Sequence, residues 1–150
     1  MKYLKHFTYY FLVLAYWGLS QGVLAENKTQ IDGYTIHYAA ITTNYLTPEI
    51  AKLYKIRRSN TRGMVTISVL KDQPEATGVP VRAKVTVHAT NLNNQMRSIA
   101  VKEVIEGMAV YYIGDFGIRN AEDLTFQLKI TPEGTEKILK ASFKQEFFVD

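Results

Sequence analysis

From Asp32 onward the sequence alternates apolar and polar residues in short runs, broken by turn residues at intervals of roughly ten. This period of two constrains the fold more than any other feature, because successive side chains of a strand point to opposite sides and such a run buries one face only. The clearest run is Val79 to Ala89, with Val79, Val81, Ala83, Val85, Val87 and Ala89 on one face and Arg82, Lys84, Thr86 and His88 on the other. Tyr34 to Ile41, Met64 to Leu70 (Val65, Ile67 and Val69 inward) and Leu124 to Ile130 (Leu124, Phe126, Leu128 and Ile130 inward) read in the same way. Less regular strands are expected at Arg97 to Ile105, Met108 to Ile113 and Leu139 to Phe148, which makes about seven.

Turn chemistry separates them: Asp72-Gln73-Pro74-Glu75, Asn91-Leu92-Asn93-Asn94, Glu106-Gly107 and Thr131-Pro132-Glu133-Gly134 all suit a chain reversal. One segment has a helix signature. Thr47 is placed to cap, Pro48 fits the first helical position, Glu49 favours the positive N-terminus, and Ile50, Leu53 and Tyr54 share a face. Antiparallel strands with one apolar face each must pack sheet on sheet. The expectation is an all-β, immunoglobulin-like antiparallel sandwich, with this short helix inserted between the first two strands. A barrel is the alternative, and the pattern leaves strand order open.

The N-terminus has a separate character. Lys2 and Lys5 precede an apolar stretch from Phe7 to Leu19, polar residues follow, and Val23-Leu24-Ala25 offers a small residue for cleavage. Residues 1–25 therefore read as a secretory signal peptide and residues 26–150 as a single domain, periplasmic or secreted. The apolar run is short for a membrane span, which needs about 20 residues, so no transmembrane anchor is expected in the mature form. The chain has no cysteine, so stability must come from the core and no lipid is attached through a cysteine. Loss of Lys2 and Lys5 leaves sixteen basic and fourteen acidic side chains, a net charge of +2 that argues against nucleic acid as a partner.

Motifs that carry chemistry are few. Asp115-Phe116-Gly117 matches a kinase magnesium motif without the glycine-rich loop or catalytic loop that would give it meaning. No Gly-x-Ser-x-Gly or His-Glu-x-x-His occurs, so neither a catalytic residue nor a cofactor is expected. His37 and His88, with Met64, Met96 or Met108, have the ligand chemistry for copper but lie about fifty residues apart in no ligand spacing. The most uneven charge is Lys52, Lys55, Arg57, Arg58 and Arg62, continuing to Lys71, with no acid between Glu49 and Asp72. Such a patch suits an envelope protein or an anionic glycan or lipid, and the plainer reading is a solvated loop. Six tyrosines, Tyr34, Tyr38, Tyr45, Tyr54, Tyr111 and Tyr112, fit either interfaces or ordinary cross-strand packing.

Three stretches carry a family resemblance: Ile31 to Tyr38 (IDGYTIHY), Leu46 to Ser59 (LTPEIAKLYKIRRS) and Tyr111 to Phe116 (YYIGDF). With these the chain resembles a family of small secreted bacterial proteins known only as a domain of unknown function. The resemblance implies a periplasmic β-sandwich and brings no activity. The expected function is a non-enzymatic binding or accessory module for another envelope component, with a copper carrier or an enzyme built around His37 or His88 as the alternative.

Overall fold

The computed structural model describes residues 27–149; the leader assigned to residues 1–25 lies outside them. The elements are β1 (Lys28–Ile31), β2 (Tyr34–Thr42), a 3-10 turn (Thr43–Tyr45), α1 (Pro48–Tyr54), β3 (Arg62–Gln73), β4 (Ala76–Pro80), β5 (Ala83–Asn91), β6 (Met96–Ile99), β7 (Lys102–Glu106), β8 (Ala109–Gly117), β9 (Glu122–Pro132) and β10 (Leu139–Phe147). Two antiparallel sheets face each other. The first has the order β1-β2-β3-β8-β7, with β4 also on β3, and the second the order β10-β9-β5-β6. The sandwich is as the alternation predicts, built from ten strands among the described residues rather than seven.

The extra strands have physical reasons. β1 is four residues long and joins β2 through Asp32-Gly33, both at positive φ, a turn that matches the twist of a hairpin. Val79 to Ala89 is two strands: β4 belongs to the first sheet, and at Val81-Arg82 the chain crosses to become β5 in the second. Val79, expected inward, is 45% exposed opposite Lys71 at the far end of β3. Arg97 to Ile105 divides likewise, since β6 lies in the second sheet, β7 in the first, and Ala100-Val101 carries the chain across. Inward residues of both sheets face one core, so apolar alternation continues through a crossing and does not reveal it.

β3 organises the first sheet. One edge pairs with β2 from Gly63 to Lys71, while the other pairs first with β8 (Arg62↔Gly117 to Ile67↔Tyr112) and then with β4 (Leu70↔Pro80 and Lys71↔Val79). Its inward Val65, Ile67 and Val69 are fully buried against Phe126, Leu128, Ile130 and Leu139 of the second sheet. An aromatic group lies at the centre: Phe126 stacks on Phe143 with ring centroids 4.7 Å apart and meets Phe116 edge-on at 5.5 Å.

A polar tie closes one rim. The Tyr112 hydroxyl accepts from Ala83 N at 2.6 Å and donates to Glu103 Oε2 at 3.1 Å, and Arg82 pairs with Glu103 at 2.9 Å. These bonds join β8, β7 and the start of β5 where the chain changes sheets. The hydrogen bond from Arg82 holds the Glu103 carboxyl below its ordinary pKa, and burial raises the Tyr112 phenol.

Candidate docking surface around α1

Helix α1 lies on the outward face of the first sheet, over a second, smaller core of Leu46, Ala51, Ile56, Met64 and Ile113. Met64 and Ile113 point away from the main core and are nevertheless 7% and 4% exposed, because the helix and its flanks cover them. The capping residues act as their types predict. Thr47 accepts from Ile50 N at 3.3 Å, Pro48 opens the helix, Glu49 occupies the first turn, and Lys55 ends it in the left-handed region at φ 56°.

The closest contact falls to a residue outside the three that the spacing groups on one face. Ala51 is the residue pressed onto the sheet, whereas Leu53 is 64% and Ile50 38% exposed. A seven-residue helix lying flat offers its small residue to the close contact, and the larger apolar side chains extend outward. Tyr45, in the preceding turn, is 76% exposed. Of the six tyrosines named above, Tyr34 and Tyr112 are core residues and Tyr45 is the outlying one.

The segment is firmly held. Thr43, fully buried, has its hydroxyl 2.9 Å from Arg57 O and 3.1 Å from Ser59 O, and accepts from Ser59 N at 3.0 Å, which closes the loop around α1. Lys102 of β7 donates to the carbonyl of Tyr54 at the helix C-terminus, and the Tyr54 hydroxyl donates to Glu106. That bond to Glu106 is the chief cause of the raised Tyr54 pKa. Thr43→Val keeps the shape and removes the polar tie, so it should cost about 1–3 kcal/mol in chemical unfolding and speed amide exchange selectively between residues 46 and 59.

The basic residues separate by role. Arg62 lies in an ion pair with Asp115, the acid of the Asp-Phe-Gly sequence, and so leaves the free patch. Arg58 donates to Asn44 O at 3.1 Å, bracing the loop. Lys52, Lys55 and Arg57 are exposed and meet no acid among the described residues. Lys52 and Lys55 stand at the helix C-terminus, where positive charge is locally favourable. The outcome is a surface segment with Ile50 and Leu53 exposed among Lys52, Lys55 and Arg57; Leu53 and Lys55 line a groove against β7, whereas Tyr45 lies beside Phe148 near the ends of β2 and β10. Sequence reasoning located the charge and grouped Ile50 with Leu53 on one face, but the spacing alone does not say whether that face is covered.

The histidines are not brought together. His37 alternates with the buried Ile36 on the outward face of the first sheet, and His88 bonds Ser98 through Nδ1 on the outward face of the second. Met64 is buried beneath α1. Among the described residues no group of three or more His, Asp or Glu could hold a metal.

The family of the domain of unknown function DUF4426 matches residues 28–150. The chain belongs to this family. A crystal structure of a DUF4426 protein from Pseudomonas aeruginosa is 26% identical, with a TM-score of 0.69 over 82% of this chain and 94% of that one. FetP of uropathogenic Escherichia coli, expressed recombinantly in the periplasm, is 5% identical with a TM-score of 0.57 over 81% and 92% of the two chains. A copper-bound FetP variant gives 7%, 0.56, 82% and 95%. At these identities the FetP likeness concerns the fold alone. No curated protein matches the DUF4426 chain. Among its described residues no helix is long and apolar enough to cross a membrane.

Proposed function

We propose that this DUF4426 protein is a non-enzymatic binding module of the cell envelope that docks through the α1 prominence onto an anionic, phosphate-bearing lipid surface. One observation carries the reading: Leu53 is held out into solvent between Lys52 and Lys55, with Arg57 following, on a segment tied down at both ends. Apolar side chains flanked by unpaired cations are the composition that partitions into a headgroup layer, each cation near such a surface adding about 1 kcal/mol. A rigid presentation lowers the ordering cost of binding. The groups with shifted pKa at the rim, Arg82, Glu103 and Tyr112, are committed to one another and to the backbone of β5, which supports a structural use for them. The leader read in residues 1–25 supplies the periplasmic address.

Co-sedimentation with phosphatidylglycerol vesicles tests the proposal. Binding should exceed that to phosphatidylcholine vesicles, weaken with salt, and fall by at least tenfold in the Lys52→Glu/Lys55→Glu/Arg57→Glu protein, the loss of three favourable contacts of about 1 kcal/mol each. Equal binding by the charge-reversed and wild-type proteins would overturn it.

A further inference from the structure

β7 forms one edge of the first sheet and, among the described residues, pairs only with β8. The turn Gly107-Met108, with Gly107 at φ 59°, closes the β7–β8 hairpin on the pair Glu106↔Ala109. In a two-residue hairpin the closing pair exchanges both backbone bonds, and such pairs alternate along the ladder. Glu106, Val104 and Lys102 therefore direct their N–H and C=O groups to β8. Those of Glu103 and Ile105 point outward from the sheet.

The strand is complementary to itself. Laid antiparallel to a second copy about Val104, it places Glu103 opposite the second copy's Ile105, the residues whose backbone groups are open on both strands. The same register sets Lys102 opposite the second copy's Glu106. Charges commonly protect an edge from pairing, but here their order favours one partner in one register: Lys102 Nζ keeps donors beyond the one given to Tyr54 O, and Glu106 keeps Oε2 beyond the oxygen that Tyr54 holds. Apolar surface lies alongside: Ile105 is 57% and Leu53 64% exposed, and both line a groove of about 340 Å³ between α1 and β7.

We infer that β7 is a homodimer contact in which two copies join their first sheets edge to edge, with the two-fold axis through Val104. The interface is isologous, each Lys102–Glu106 contact being made twice. An axis of this kind stands perpendicular to the joined sheet, so both α1 helices project from the same face. If the docking reading above holds, the dimer presents two basic prominences to one surface and gains avidity; the dimer itself does not rest on that reading.

The absence of cysteine makes the register directly testable. Val104 would face its own copy across a non-hydrogen-bonded pair with Cα atoms about 4.5 Å apart, inside the range a disulfide spans. Val104→Cys should oxidise rapidly to a covalent dimer. Met108→Cys, at a site 88% exposed on the hairpin tip, reports random collision and should lag by at least tenfold. The unmodified mature protein should show concentration-dependent dimerisation in sedimentation velocity. Ile105→Pro should abolish it while leaving the β8 ladder intact, since the N–H it removes is the open one. Sedimentation as a monomer at all loadings up to about 0.5 mM, or oxidation of Val104→Cys no faster than of Met108→Cys, would overturn the inference, whatever the vesicle experiment shows.

Discussion

Replacing Phe126 by alanine should lower the unfolding free energy by about 3–5 kcal/mol, the usual cost of emptying a large aromatic site in a packed core. Phe126 is fully buried and forms the junction of three other rings: Phe143 stacks on it, Phe116 meets it edge-on, and Phe147 contacts it at 6.4 Å. Phe116 comes from the first sheet and the others from the second, so the void would open between the sheets. Rings fixed in mutual contact cannot rotate into it without losing their own partners. Urea unfolding followed by fluorescence should show a lower midpoint with an unchanged slope. A loss below about 1 kcal/mol would show that the neighbours collapse into the space and that the ring cluster is not the centre of the core.

Gly114→Ala should be nearly as damaging although it adds a single carbon. The residue lies on the inward side of β8 beneath the β6–β7 crossing, and a Cβ there would stand 2.6 Å from Ala100 O, 2.8 Å from Ile99 Cγ2 and 3.0 Å from Val101 Cγ1. The first of these atoms is backbone and cannot turn aside. Relief requires the crossing to rise off β8, which separates β6 from the second sheet or β7 from the first. Overpacking typically costs about 1–3 kcal/mol, and a displaced crossing puts this change at the upper end. Hydrogen exchange should localise the effect to residues 96–106, and an unperturbed profile there would contradict the close approach. Gly117→Ala provides the matching mild change, because a Cβ added at that position meets no atom within 4 Å.

These two sites mark where the sequence could and could not be read. Phe126 was legible, because Leu124, Phe126, Leu128 and Ile130 alternate with polar residues on a strand whose neighbours impose the same period. The crossings at Val81-Arg82 and Ala100-Val101 were not, since apolar alternation is a property of the core and both sheets share it. Gly114 carries no local signal at all: its need for hydrogen in place of a side chain arises from Ala100, fourteen positions earlier. The α1 caps were legible because Thr47 and Pro48 act on adjacent backbone. Its exposed face was not, because a short helix settles on whichever residue allows the closest approach, here Ala51. The charge patch was visible as a run, but the pairing of Arg62 with Asp115 depends on β3 meeting β8. The dimer register of β7 needed the hairpin phase, which follows from the observed Glu106↔Ala109 closure.

The order in which strands find their partners also sets a schedule for a chain that emerges from its N-terminus. β3 waits for β8, β5 waits for β9, and the core is sealed by Leu139, Ala141 and Phe147 of the last strand. Pairings that span so much sequence form late, since the loop entropy is lost before the contacts reward it. Until β9 and β10 are available, neither sheet can bury its apolar face, and the growing polypeptide has no stable partial sandwich in which to stop. The sandwich therefore closes as one late event, once β9 and β10 are both present.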